Sequence, residues 1–314
     1  MHPALSIIVF TTASGAGYGL LALCGVLAAL GLAPSEPGLA LAACGLALAL
    51  ISGGLLASMV HLGRPERAWR AFSQWRSSWL SREGVAAIAT FVPGCAFAAL
   101  WILRGAGSGA VAALGLVTAV MAAVTVGCTA MIYASLKPVH QWRSPWVPPA
   151  YLALALMTGA LWFHALLRLW GRDGTGIALV ACAAIALGLA LKEAYWRDIR
   201  AAAPSTPETA TGLGRYGTVR LLDPPHTEEN YLLREMGFRL GRKHAARLRN
   251  ISRFAGFLLP LALTLATFFA AGRPGAVMAL AAALSAGLGV LIERWLFFAE
   301  AKHTVTLYYG ARRV

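Results

Sequence analysis

HLGRPERAWRAFSQWRSSWLSREG, residues 61–84, separates two runs of almost pure hydrocarbon. Leu39 to Val60 on one side and Val85 to Leu103 on the other contain no Asp, Glu, Lys, Arg or His. The stretch itself carries five arginines, three tryptophans, a histidine and two glutamates. Apolar runs of this length cross a bilayer as helices, because lipid offers no partner for a free backbone N–H or C=O. The polar stretch between them therefore reads as a membrane-surface loop. Pro65 supplies the helix stop: it has no N–H to donate and disfavours helical geometry at Arg64. The tryptophans, apolar in the ring and polar at the N–H, suit the headgroup layer. His61 closes the first helix and Glu83 opens the second, so both fall at the lipid boundary, where an acid–base pair can handle protons.

The rest of the sequence agrees with a membrane reading. Of 314 residues, 58% are hydrophobic and 13% charged, with a mean hydropathy of +0.65. A soluble domain carries about 25% charged residues. The formal net charge of +14 would point to nucleic acid in a soluble protein. Here the basic residues lie in the loops between apolar spans, so membrane topology and anionic lipid account for them, and no nucleic-acid partner is expected. The five cysteines, Cys24, Cys44, Cys95, Cys128 and Cys182, all lie within apolar runs and none has C-x-x-C spacing. They read as small packing residues, and no iron–sulfur cluster is expected in this protein. The first seven residues hold no Lys or Arg and no small-residue cleavage site follows, so the first helix is expected to be retained.

Eight apolar segments of transmembrane length can be marked, at 8–32, 39–62, 84–104, 110–135, 148–170, 175–195, 251–271 and 276–300. The fold class is thus an all-α integral membrane protein of eight transmembrane helices. It divides into residues 1–195 with six helices and the 61–84 loop, a basic connection over 196–250, and the last two helices with the tail over 251–314. Glycine-containing runs such as SGAGYG (14–19) let helices approach closely. Basic residues crowd the connections after helices two, four and six and the tail, whereas the opposite side has Arg104, Arg168, Arg172 and Arg273. By the positive-inside rule both termini are cytoplasmic, in a bacterial inner membrane.

Two loops on the basic side echo each other. RPERAW (64–69) matches KPVHQW (137–142), and WRSSW (75–79) matches WRSPW (142–146). Either a duplicated hairpin or the shared chemistry of interfacial loops produces such a pattern. The sixth connection, Trp196 to Asn250, reads as a flexible tract, an extended arm at 215–231, and a basic amphipathic helix at 232–249. That helix suits an anionic lipid face or a partner subunit; a solvated basic linker is the plainer alternative.

HLGRP at the end of helix two, with the arginine-rich loop and LSREG at the start of helix three, resembles the DmsC family, the membrane anchors of molybdenum-containing dimethyl sulfoxide reductases. That family is distantly similar to NrfD-type anchors. The arm and basic helix of the long connection resemble more loosely the anchors of cytoplasmic sulfite dehydrogenases. The resemblance implies two four-helix bundles, a quinone site at His61 and Glu83, and two partners: an iron–sulfur electron-transfer subunit and a molybdopterin catalytic subunit. The quinone, ubiquinone or menaquinone, would be an exchangeable substrate. On the sulfite dehydrogenase likeness electrons enter the quinone; on the dimethyl sulfoxide reductase likeness they leave menaquinol.

The residues fit such chemistry. A histidine titrates near neutral pH and serves as donor or acceptor to a quinone oxygen. Glu83 would orient it or pass the proton on, Arg64 would steady the quinol anion, and Trp69 completes the expected quinone-binding set. The plainer reading of His61 and Glu83 is a pair of helix-end residues. The other ionisable groups within spans, Lys192, Glu193, Glu293, Arg294 and Glu300, lie near the same side, and Glu293–Arg294 reads as an internal ion pair. A di-haem cytochrome b needs histidine pairs at matching depth on facing helices; His61 and His164 fall at opposite ends, and no haem is expected. A small-molecule transporter would show broken helices or polar groups at the midplane.

Overall fold

The computed structural model describes residues 4–60, 62–202, 204–223, 225 and 242–314. Six long helices come first: α1 (Leu5–Ala29), α2 (Pro37–Met59), α3 (Trp79–Arg104), α4 (Gly109–Ala134), α5 (Val147–Leu169) and α6 (Thr175–Ala201). A short α7 (Pro207–Thr211) lies in the sixth connection, closed by a reciprocal Thr206–Thr209 capping box. Then come α8 (Ala245–Arg253), α9 (Leu259–Ala266) and α10 (Gly272–Ala299). Among the described residues there is no strand, only one isolated bridge between Val139 and His303. The protein is a multi-pass, all-helical membrane protein.

Seven of these helices are long and apolar enough to cross a bilayer. The eighth span expected at 251–271 takes another form. The helix starts earlier, at Ala245, and a single π turn over Phe254–Leu258 separates α8 from α9. Pro260 explains the turn. It has no N–H for the carbonyl four residues back, so the helix widens there, and the Leu259 N–H bonds the Phe254 carbonyl instead. The Ser285 hydroxyl of α10 donates to the freed Ala255 carbonyl at 2.7 Å. Neither α8 nor α9 alone reaches spanning length, so the count of eight rests on joining them through this turn.

Helix contacts sort the spans into two groups. α1 packs on α2 and α4, and α3 packs on α4 and α2. In the second group α5 packs on α6 and α10, while α9 packs on α10 and α6. The seam runs along α1 and α5, and α1 also reaches α10. Accordingly α5 and α1 are the most enclosed spans, with 83% and 67% of their apolar windows buried, against 33% for α6. Side chains such as Leu41, Ile88, Val92, Leu103 and Val277 point outward, as lipid-facing residues do. The seam is close because it is built on small residues: a Cβ at Gly19 would overlap the Ala155 carbonyl, and one at Gly159 would overlap the Gly19 backbone.

The loops after α2 and α4 lie on one face, as helix alternation requires, and are built differently. The first forms a 3-10 segment, Pro65–Gln74, with no buried residue. The second, between α4 and α5, holds the carboxy-terminal tail. The Trp142 indole N–H donates to the Phe297 carbonyl at 2.9 Å, and the Gln141 amide oxygen accepts from the Lys302 N–H at 3.0 Å. His140 Nε2 and the Ser205 hydroxyl are 2.6 Å apart, and the backbone of Ser205 pairs with that of Val314 in both directions.

Candidate functional site

Glu83 lies one turn into α3, whose start is fixed by the Ser78 hydroxyl accepting from the Ser81 N–H at 3.5 Å. Arg82, its neighbour, turns back over the loop. Its Nε donates to the Trp75 carbonyl at 3.0 Å and its Nη2 to the Arg76 carbonyl at 2.7 Å, while the guanidinium stands 4.3 Å from the Trp79 ring centroid. Phe72 packs against Gly84, where a Cβ would come within 2.9 Å of the ring. The loop is therefore folded onto the head of α3, and Gly84 permits that approach.

Next to this loop, Glu83 is 5% exposed. Its one hydrogen bond among the described residues comes from the Thr129 hydroxyl of α4. Two turns further along α3 and one turn back along α4, the hydroxyls of Thr90 and Thr125 meet at 3.0 Å. A buried carboxyl group with a single neutral donor is an expensive arrangement in a membrane span, and such groups are retained where they bind or move charge.

Of the four residues singled out in the sequence, the structure places three. Glu83 is buried at the α3–α4 contact. Arg64 and Trp69 are on the loop and exposed, Trp69 at 65%, with the Arg70 guanidinium 5.6 Å from its ring centroid. His61 lies outside the described residues, as does the expected basic helix as far as residue 241; its last residues open α8.

A second polar cluster sits in the other helix group. Lys192 Nζ of α6 is 2.5 Å from Glu293 Oε1 of α10, and Arg294 Nη1 is 3.3 Å from Glu293 Oε2. All three side chains are at most 3% exposed. The pair expected from sequence was Glu293–Arg294; the closer partner is Lys192, from a different helix. Lys192 also stands 3.8 Å from the Tyr195 ring centroid, and Arg294 lies 3.5 Å from that of Tyr151. Nearer the surface, Arg249 pairs with Glu300 at 2.5 Å and Arg253 with Glu193 at 2.5 Å.

Sequence reasoning had no way to select Tyr18, Thr129, Tyr151 and Arg294 as neighbours, yet they share one narrow cleft between the helix groups. The available signal was a hydroxyl or cation within a hydrocarbon run, which says nothing of which helix it faces. At the opposite end of α5, His164 Nε2 is 3.1 Å from the Thr267 hydroxyl, and Arg168 donates to the Thr267 carbonyl at 3.0 Å and to that of Ala270. These bonds tie α5 to the end of α9. Among the described residues no three His, Cys, Asp or Glu side chains gather as a metal-binding set.

Comparison with known proteins bears on this geometry. The sequence model of the DMSO reductase anchor subunit (DmsC) matches residues 1–198. The C-subunit of sulfite dehydrogenase from Allochromatium vinosum is 34% identical over 329 aligned positions, covering 98% of this protein and 99% of that one. The C polypeptide of anaerobic dimethyl sulfoxide reductase from Escherichia coli K12 is 31% identical over 139 positions, 44% of this protein and 48% of that one. No solved structure gives a significant match.

Proposed function

The protein belongs to the DMSO reductase anchor subunit (DmsC) family, and from that premise we propose that it exchanges electrons between an iron–sulfur partner subunit and the quinone pool. The quinone head would bind at the edge of the first helix group, near His61 and Glu83, with Arg64 and Trp69 on the covering loop. A molybdopterin catalytic subunit would complete the complex. The observation that carries the reading is the burial of Glu83 at the α3–α4 contact, at the helix end that adjoins an arginine-rich loop, with Thr129 as its one hydrogen-bond donor among the described residues. A carboxyl group there can accept the proton of a quinol or deliver one to a quinone oxygen without leaving the apolar site.

The direction we favour is quinone reduction, of the sulfite dehydrogenase kind. The full-length match to a sulfite dehydrogenase C-subunit, which includes the long sixth connection and the last spans, supports it. The DmsC match over 1–198 keeps menaquinol oxidation by a dimethyl sulfoxide reductase complex as the second reading. The basic loops on the face of both termini support a cytoplasmic orientation in a bacterial inner membrane.

The test is turnover of the purified complex in membranes. Sulfite-dependent reduction of a ubiquinone analogue is expected, and dimethyl sulfoxide-dependent oxidation of a menaquinol analogue would select the second reading. His61→Ala and Glu83→Gln should each lower quinone turnover by about 100-fold while the partner subunits remain bound to the membrane. Normal turnover in both variants would show that the quinone reacts elsewhere.

A further inference from the structure

The cleft between the two helix groups holds polar atoms that the quinone reading does not use. Tyr18 of α1 and Tyr151 of α5 are 2% and 4% exposed, and neither hydroxyl has a hydrogen-bond partner among the described residues. The Nε of Arg294, a residue 3% exposed, has none either. All three residues line the cleft together with Thr129, the residue that donates to Glu83. The space has room for about one water molecule and is too small for a quinone ring. Buried polar groups are almost always paired, with protein or with ordered water. The number of such groups lining the cleft matches the two to four bonds that a bound water makes.

Beyond the cleft the neighbouring contacts are charged, with Arg294 as the fixed cation between the cleft and Glu293. Arg294 lies over the Tyr151 ring and reaches Glu293, and Glu293 reaches Lys192. Although these ions are close, neither Glu293 oxygen has a well-aligned hydrogen bond among the described residues. Mutual neutralisation accounts for the pairing of Glu293 with two cations. It does not account for two tyrosines with orphaned hydroxyls lining the same cleft as the partner of Glu83.

We propose that a water held by Tyr18, Tyr151, Thr129 and Arg294 relays protons between Glu83 and the Glu293–Lys192 pair. The ion cluster of the second helix group thereby becomes the inner half of the proton route that serves the first. The proposal rests on the quinone reading above. In each passage a hydroxyl gives up one proton as it accepts another, so Thr129, the water and the tyrosines end neutral. Glu83 and the Glu293–Lys192 pair are the groups that change charge, and Arg294 balances the carboxylate during the transfer.

The experiment uses the whole complex in membranes, with decylubiquinone as substrate and a hydroxyquinoline N-oxide as the quinol-analogue probe. Tyr18→Phe combined with Tyr151→Phe removes both hydroxyls and keeps both rings, including the one beneath Arg294. Analogue affinity should stay within about twofold of the parent, turnover should fall at least about tenfold, and the solvent deuterium isotope effect should rise. Lys192→Met combined with Glu293→Gln should reproduce the kinetic loss, and membrane retention of the partners reports that the variant has folded. Turnover and isotope effect unchanged in the phenylalanine pair would overturn the relay and leave the quinone site standing. Loss of analogue affinity in that pair would also overturn it, by assigning the tyrosines to the ligand itself. A parent complex that turns over no quinone, with sulfite or with dimethyl sulfoxide, would remove the underlying reading and the relay with it.

Discussion

The loops after α2 and α4 share a sequence pattern and have opposite roles. In the first, Trp69 is 65% exposed beside an arginine. Its counterpart Trp142 is half-buried, bonds the Phe297 carbonyl, and packs against Tyr133, Phe297 and Phe298. Ser77 bonds within its own exposed turn, whereas the matching Ser144 donates to Asp198 Oδ2 of α6 at 2.5 Å. The second loop is thus a structural clamp joining α4, α6, α10 and the tail. The first packs Phe72 on Gly84 beside one buried carboxyl group and leaves Trp69, Trp75 and its arginines open. A proline, basic residues and tryptophans suffice to seat a loop at the membrane surface, and tertiary contacts decide what it then does.

The contrast can be broken by paired substitutions. Trp142→Ala leaves a cavity among three aromatic rings and an unpaired carbonyl, so it should cost about 3 kcal/mol. Thermal unfolding in detergent measures this, with Trp69→Ala as the control, and equal losses at the two positions would end the distinction. Ser144→Ala removes a hydrogen bond to a carboxylate and should cost about 1–2 kcal/mol, while Ser77→Ala should fall within error. The smallest effect is expected from Trp69→Ala, about 0.5 kcal/mol or less in stability. That variant sharpens the comparison in another way. If the first loop admits quinone, Trp69→Ala should raise the KM for quinone by roughly threefold, with kcat and partner retention unchanged.

Most of the fold is legible in the sequence because lipid allows few alternatives. Predominantly apolar runs become α1 to α6 and α10, with α3 and α6 extended at their charged ends, since an interrupted helix has no water to satisfy its backbone. Pro65 and Pro148 mark helix boundaries, at the start of the 3-10 segment and the first turn of α5. The span at 251–271 differs in form from the expectation. Pro260 is visible in the sequence, but its consequence depends on Ser285 of α10 taking the freed carbonyl, and that is a tertiary fact. The same limit governs the site. Glu83 can be picked out by its place at the edge of a hydrocarbon run, whereas its partner Thr129 is 46 residues away and lies among other hydroxyls of α4. Lys192 and Glu293 are each visible as buried charges, and their pairing is not, because it needs the packing of α6 on α10.

The glycine seam of α1 has a consequence in time. α1 leaves the ribosome first, yet the surfaces that enclose it belong to α2, α4, α5 and α10. At roughly 5–20 residues per second, the interval between the synthesis of Ala29 and of Gly272 is on the order of tens of seconds. Gly19 can meet α5 once Leu169 has been made, but the part of α1 that α10 covers must rest against lipid or the insertion machinery until the end of that interval. Substitutions that slow the arrival of α10 would therefore act on how many molecules are completed, and leave those that finish unchanged.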